Sequence, residues 1–193
     1  MQFEFIAGNL ALDFVNTVHR HGATDPGDDL TSIEDLKEWA QQAGILKGRL
    51  DSSMYPGFYV ARNFRRALVL RDVLYQVFST ISENRAPHFN DLLRLQSIYR
   101  NSVRSLVFVR KGRHFELTWP ATVPPTERIL AEIARAAGDL LTSDALNRVR
   151  QCSNPNCSWL FVDTSRAGRR RWCDMKVCGN RAKVYRFREL QNR

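Results

Sequence analysis

No apolar run in this chain reaches the roughly 18 residues needed to cross a bilayer, so no membrane-spanning helix is expected. The opening segment, Met1-Gln-Phe-Glu-Phe-Ile-Ala-Gly-Asn, has no basic n-region, and Asp13 interrupts its apolar stretch. It does not resemble a secretory signal, and a cytoplasmic protein is expected. Catalytic fingerprints are missing as well: there is no His-Glu-x-x-His, no Gly-x-Ser-x-Gly, no P-loop and no dinucleotide-binding glycine pattern. The expectation is that the chain is not an enzyme. Residues 1–147 lack net charge, with 17 Lys/Arg against 17 Asp/Glu, and they contain no cysteine. Neither an internal repeat nor a low-complexity linker is present.

What the body lacks is concentrated at the other end. Residues 148–193 hold 12 Lys/Arg and only 3 Asp/Glu, so the whole +9 excess of the 193-residue chain sits there. All four cysteines lie there too. A neutral body with a basic end suggests a polyanion-binding module joined to something else. The length suits one ordinary domain plus a small module, here 1–147 and 148–193.

Hydrophobic spacing predicts mostly helix in the body. Leu10, Phe14 and Val18 share one side of a helix over 9–20, with Asn9, Asp13, Asn16 and Arg20 on the other. A loop over 22–30 follows, then a helix capped by Thr31 or Ser32 and stopped near Gly44. The longest apolar stripe runs over 58–83, and Arg71 falls on it. Further helices are predicted over 88–104 and 126–141. Between them, Leu106–Val109 and the alternating Phe115, Leu117 and Trp119 flank a Lys111-Gly112 turn, which reads as a β-hairpin with one buried face. The short connection 142–150, containing Leu146 and Val149, predicts that the basic module packs against the body. The expected class is α+β: a mainly α-helical body with a β-hairpin, followed by a small treble-clef-like zinc module with four cysteine ligands.

The cysteines are spaced Cys152-x4-Cys157-x15-Cys173-x4-Cys178, two close pairs joined by a long excursion, which matches a tetrahedral site for one Zn²⁺. Four protein ligands leave no open position, so the ion is structural. The module's apolar residues are too few to fold it unaided, and metal binding worth ~10–16 kcal/mol makes up the deficit. The turn Ser153-Asn154-Pro155-Asn156 suits the first pair, and Gly179 is expected to permit a sharp turn beside the second. His19 and His21 are a weaker candidate pair for a metal and read more simply as loop residues.

Around the cysteines, Arg169, Arg170 and Arg171 form a cluster assigned to phosphates. Asn180, Arg181, Lys183, Arg186 and Arg188 follow on a helix of about 179–190 that Asn180 caps and that presents them to phosphates or base edges. Arg181 and Arg188 share a face of that helix, whereas Lys183 and Arg186 do not. Arginine outnumbers lysine 10 to 2 in 148–193, which suits phosphate and guanine contacts. DNA is the favoured partner, RNA or a protein is the alternative, and a solvated basic tail is the plainest reading. In the body, a charge on a buried stripe needs a partner. Asp13 is the candidate for Arg71, with Asn16 in hydrogen-bond reach, as a buried pair or as the polar end of a small-molecule effector pocket. A homodimer built through the body would supply the second DNA-binding module that a palindromic site requires.

Cys178-Gly179-Asn180-Arg181 spells the motif that names the CGNR zinc finger, and the Asn-rich turn at 152–157 and the arginine-rich approach to Cys173 also resemble that family. The opening Leu10-Ala-Leu-Asp13-Phe14-Val-Asn16-Thr17 resembles the start of the ABATE domain that precedes this finger. Leu70-Arg71-Asp72-Val73-Leu74 is similar to the Leu-Arg-Glu-Ala-Leu segment of the same domain, with Asp in the Glu place and Val in the Ala place. The resemblance covers essentially the whole chain. It implies a bacterial stress-related transcriptional regulator with the finger on DNA and the N-terminal domain for effector sensing or dimerisation.

Overall fold

The fold was analysed in a computed structural model, in which residues 2–46, 56–120 and 122–191 are described. Only the backbone is considered for 185–187 and 189–191. The first helix is shorter than its apolar spacing suggests. α1 spans Leu10–Val15, with the Asn9 side chain accepting from the Ala11 N–H as N-cap. It ends at Asn16, and the chain turns through β1 (Val18–His19), the left-handed Arg20 and β2 (Gly27–Asp28). Asp13 and Asn16 are buried, as a buried pair or the polar end of a pocket requires.

α2 (Ile33–Gln42) starts with a capping box, in which Ser32 accepts from the Asp35 N–H and Asp35 accepts from the Ser32 N–H. α3 (Gly57–Ser82) is the spine of the body; of its predicted stripe it buries Ala67, Leu74 and Phe78, it half-buries Val60, Phe64 and Ile81, and it also buries Leu70 and Val77. α4 (Phe89–Val103) and α5 (Pro125–Leu141) pack on one another; a Cβ on Gly138 would collide with the Tyr99 ring, so the glycine is there for close helix approach. α1 lies in the middle, against α3 and α5. Phe14, Leu12, Leu74, Ile129 and Trp39 are fully buried around it.

The hairpin departs from expectation. β3 (Val107–Lys111) and β4 (His114–Thr118) pair antiparallel around Gly112-Arg113, with Phe108 opposite Leu117 and Arg110 opposite Phe115. Neither face is buried. Phe108 is 77% exposed and Phe115 67%, and only Trp119, past the end of β4, enters the core. Alternation gave one apolar face, as expected, but that face is exposed and not buried.

A 3-10 turn (Asp144–Arg148) leads into β5 (Val149–Gln151), which pairs antiparallel with β6 (Leu160–Val162). A π-helical turn (Met175–Gly179) then runs into α6 (Asn180–Gln191). A β-hairpin that turns at one cysteine pair, followed by a helix that starts at the other, is the expected treble-clef-like arrangement. The basic segment is not a separate unit. β6 is buried along its length, and Val149, Leu160, Phe161 and Val162 belong to the same hydrophobic core as Phe14 and Trp39. No described helix is long and apolar enough to cross a membrane.

Candidate metal centre and basic surface

The four cysteine Sγ atoms lie within 4.8 Å of one another. The Cys157–Cys173 and Cys173–Cys178 separations are 3.7 and 3.6 Å. A disulfide would need about 2.05 Å, whereas a tetrahedron with Zn–S near 2.3 Å has S···S edges of about 3.8 Å. The donor set therefore fits one structural zinc ion held by Cys152, Cys157, Cys173 and Cys178. Packing the thiols this closely opposes their joint ionisation. Hydrogen bonds from Cys157 and Cys173 hold the Cys152 thiol well below its ordinary range, and the Cys157 thiol, a donor to Cys152, is pushed up. Cys173 is raised as well, as a donor to Cys152 and Cys157. A divalent cation removes that opposition by balancing several thiolates at once.

Local chemistry explains how each pair is placed. The Cys152 N–H donates to the Trp159 carbonyl, extending the β5–β6 ladder into the first knuckle. The buried Asn154 side chain accepts from the Asn156 N–H, and the Cys157 N–H donates to the Asn154 carbonyl, which closes the turn. The second pair is held from two directions. Arg170 donates to the carbonyls of Trp172 and Cys173 and lies over the Phe161 ring at 4.5 Å. Asp174 caps the π turn by accepting from the Val177 N–H.

These contacts correct several expectations. Arg170 is part of the scaffold of the metal loop and not a free phosphate ligand. Gly179 has no left-handed backbone; a Cβ there would sit 2.9 Å from the Met175 sulfur and 3.3 Å from the Trp172 ring, so it packs closely against both. Asn180 does not cap the helix, because Asp174 does; its side chain donates to the Lys176 carbonyl inside the π turn. Asp163 had given no signal in the sequence. It is fully buried and accepts from the N–H groups of Ser165 and Arg170, which shapes the arginine-rich excursion.

Arg169, Arg171, Arg181, Lys183 and Arg188 are exposed. The side chain of Arg186 lies outside the described residues. Arg171 sits over the Trp172 ring, and that ring also lies against Gly179, so the loop cations are brought beside the start of the helix that carries Arg181. The ion pairs found among the described residues all fall between His19 and Asp139.

Asp13, Asn16 and Arg71 do not form one site. Arg71 is buried, but its partner is Asp28, at 2.6 and 2.7 Å through both guanidinium nitrogens, with Thr17 Oγ1 as a third contact at 2.9 Å. Asp28 reaches it because β2 folds back against β1 beside α3, a long-range placement that spacing does not encode. Asp13 instead accepts from the Ala7 N–H at 2.9 Å, and burial raises its pKa to about 6. Asn16 grips the zinc-bearing segment. Its amide donates to the Leu160 carbonyl at 2.9 Å and accepts from the Leu160 N–H at 2.8 Å, as a neighbouring strand would. Asp13 and Asn16 line a cavity of about 150 Å³ that excludes Arg71. A larger cavity of about 400 Å³ lies between body and finger; Cys157, Cys173 and Cys178 are in its wall with His19, Trp159 and Arg181, so it includes the metal position. The histidines form no metal pair: His19 bonds Asp29, and His21 stacks on Tyr75 at 3.7 Å.

The fold and the donor set together define a protein with a four-cysteine zinc finger built onto a helical domain. Comparison with known families agrees. Residues 148–191 match the CGNR zinc finger, and residues 8–144 match ABATE, described as "Putative stress-induced transcription regulator". The chain belongs to the ABATE family, with the CGNR finger following it. No curated protein matches the chain.

Proposed function

We propose that the protein is a transcriptional regulator that binds DNA through the zinc finger, with the ABATE body serving effector sensing or dimerisation. The observation that carries this reading is the contrast in how the cations are used. In the finger, Arg148, Arg150 and Arg170 are bonded to backbone carbonyls, while Arg169, Arg171, Arg181, Lys183 and Arg188 stand exposed. A zinc-fixed loop beside a helix offers exposed arginine forks at a held spacing, which suits phosphates and guanine edges. Arg169 and Arg171 take phosphates, and Arg181 and Lys183 take the groove. An effector that entered the body–finger cavity would lie against the zinc ligands Cys157, Cys173 and Cys178 and against His19 of the body, so it would touch both parts. The reading gives the chain a binding role and no reaction.

The test is competition between duplex DNA and RNA for the zinc-loaded protein, with targets selected from genomic fragments. The expected outcome is preferential recovery of duplex sites. Arg181→Ala is expected to cost ~1–3 kcal/mol on the selected site and less on random duplex. Preferential binding of RNA, or no binding of either nucleic acid, contradicts the reading.

A further inference from the structure

The β3–β4 arm leaves a cluster of large apolar side chains exposed. Phe108, Phe115 and Leu117 are 77%, 67% and 52% exposed. β3 and β4 form a two-stranded sheet of their own. A lone two-stranded hairpin is marginally stable in water, and its outer edges present unpaired N–H and C=O groups. We propose that β3 pairs edge to edge with β3 of a second copy of this chain, antiparallel about a two-fold axis at Val109, to make a four-stranded sheet. The proposal deepens the dimerisation part of the reading above, and its test needs no DNA.

The register follows from hydrogen-bond parity and charge. The loop between the strands is two residues, Gly112-Arg113, flanked by the Lys111–His114 pair. In such a hairpin the flanking pair exchanges both hydrogen bonds, so Lys111, Val109 and Val107 turn their backbone groups toward β4. Phe108 and Arg110 turn theirs outward. A two-fold axis at Val109 matches these free groups, because Phe108 then exchanges hydrogen bonds with the partner's Arg110, and Arg110 with the partner's Phe108.

Side chains agree with that register. Phe108 lies beside the partner's Arg110, a cation–π pair made twice. Val109 meets the partner's Val109, and Val107 meets the partner's Lys111. The other edge is less suitable: symmetric pairing over the length of β4, His114–Thr118, sets Glu116 against the partner's Glu116. An axis at Arg110 likewise opposes two arginines. Phe108 and Leu117 face each other across the hairpin, and Arg110 and Phe115 share their face, so the paired sheet sets two arginines among the aromatic rings of one face.

Sedimentation of the zinc-loaded full chain at tens of micromolar is expected to give a dimer mass. Arg110→Pro removes an outward N–H without touching the β3–β4 ladder, and it is expected to give a monomer with unchanged zinc content. Val109→Cys is expected to cross-link chain to chain on mild oxidation, because that pair meets on the axis, and Glu116→Cys is not. A monomeric wild type overturns the proposal. So does an Arg110→Pro dimer, a Val109→Cys chain that fails to cross-link, or cross-linking through Glu116→Cys in its place.

Discussion

The body and the finger differ in where their ion pairs fall. In the body, Arg71 is committed to Asp28, Arg66 to Glu127, and Arg135 to Glu132 and Asp139. In the finger, the carboxylates of Asp163 and Asp174 bond backbone N–H groups, so the exposed arginines are left to face outward. The body builds its own core from α1, α3 and α5. The finger contributes Val149 of β5, Trp159 and the whole of β6 to that core. Equal net charge in the two parts would have hidden this difference. Where each guanidinium points is what separates a structural cation from one available to a partner.

Zinc removal should produce the largest effect on that comparison. Structural zinc contributes ~10–16 kcal/mol to a site of this type. Because Leu160 and Val162 are bonded to Asn16 and Ala7, collapse of the finger should also lower the melting temperature of the helical body. Circular dichroism melts of chelated protein and of Cys178→Ser measure this. A body that melts unchanged would make the two parts independent.

The Arg71–Asp28 pair comes next, and it should be asymmetric. Asp28→Ala leaves a buried guanidinium with only Thr17 and is expected to cost about 3–5 kcal/mol. Arg71→Met leaves a carboxylate that is 35% exposed and can be hydrated, so its cost should be about half that or less. Urea denaturation of both variants orders them.

Asp13 gives a pH-dependent effect. Its folded-state pKa of about 6 lies above the ordinary 3.8, because burial outweighs the N–H bonds from Ala7 and Ile6. Between these values the folded protein holds a proton that the unfolded chain has lost, so stability falls as pH rises through the window. The full cost is present above the folded value. Asp13→Asn keeps an acceptor for Ala7 and should gain up to about 3 kcal/mol near pH 8, with a smaller gain near pH 5. Denaturation of variant and wild type at both pH values measures the difference.

Much of this was legible in the sequence, for identifiable reasons. The metal site depends on ligand spacing along the chain, and spacing is what a sequence displays. α3 and α5 carry long apolar stripes, so their positions and inward faces could be read directly. Arg71 could be read as buried from its place on a stripe, but its partner could not, because Asp28 arrives through a tertiary turn. Asn16 looked like the polar side of a helix because side-chain capture of a strand backbone leaves no periodic trace. The hairpin showed an apolar alternation without showing what covers it. Gly179 was visible, but its close contacts with Met175 and Trp172 were not.

Loop arginines should show the smallest effects, and the most diagnostic ones. Arg171→Ala is expected to weaken binding to all duplexes alike, whereas Arg170→Ala should loosen the metal loop and lower zinc retention, because its guanidinium holds the carbonyls of Trp172 and Cys173. The measurement that tests the central claim most directly is the salt dependence of duplex binding by the zinc-loaded wild type and by Arg171→Ala. The account predicts that log K falls linearly with log salt by about 0.9 per phosphate contacted, and that the variant's slope is smaller by about one. No duplex affinity at low salt, or an unchanged slope in Arg171→Ala, would contradict it.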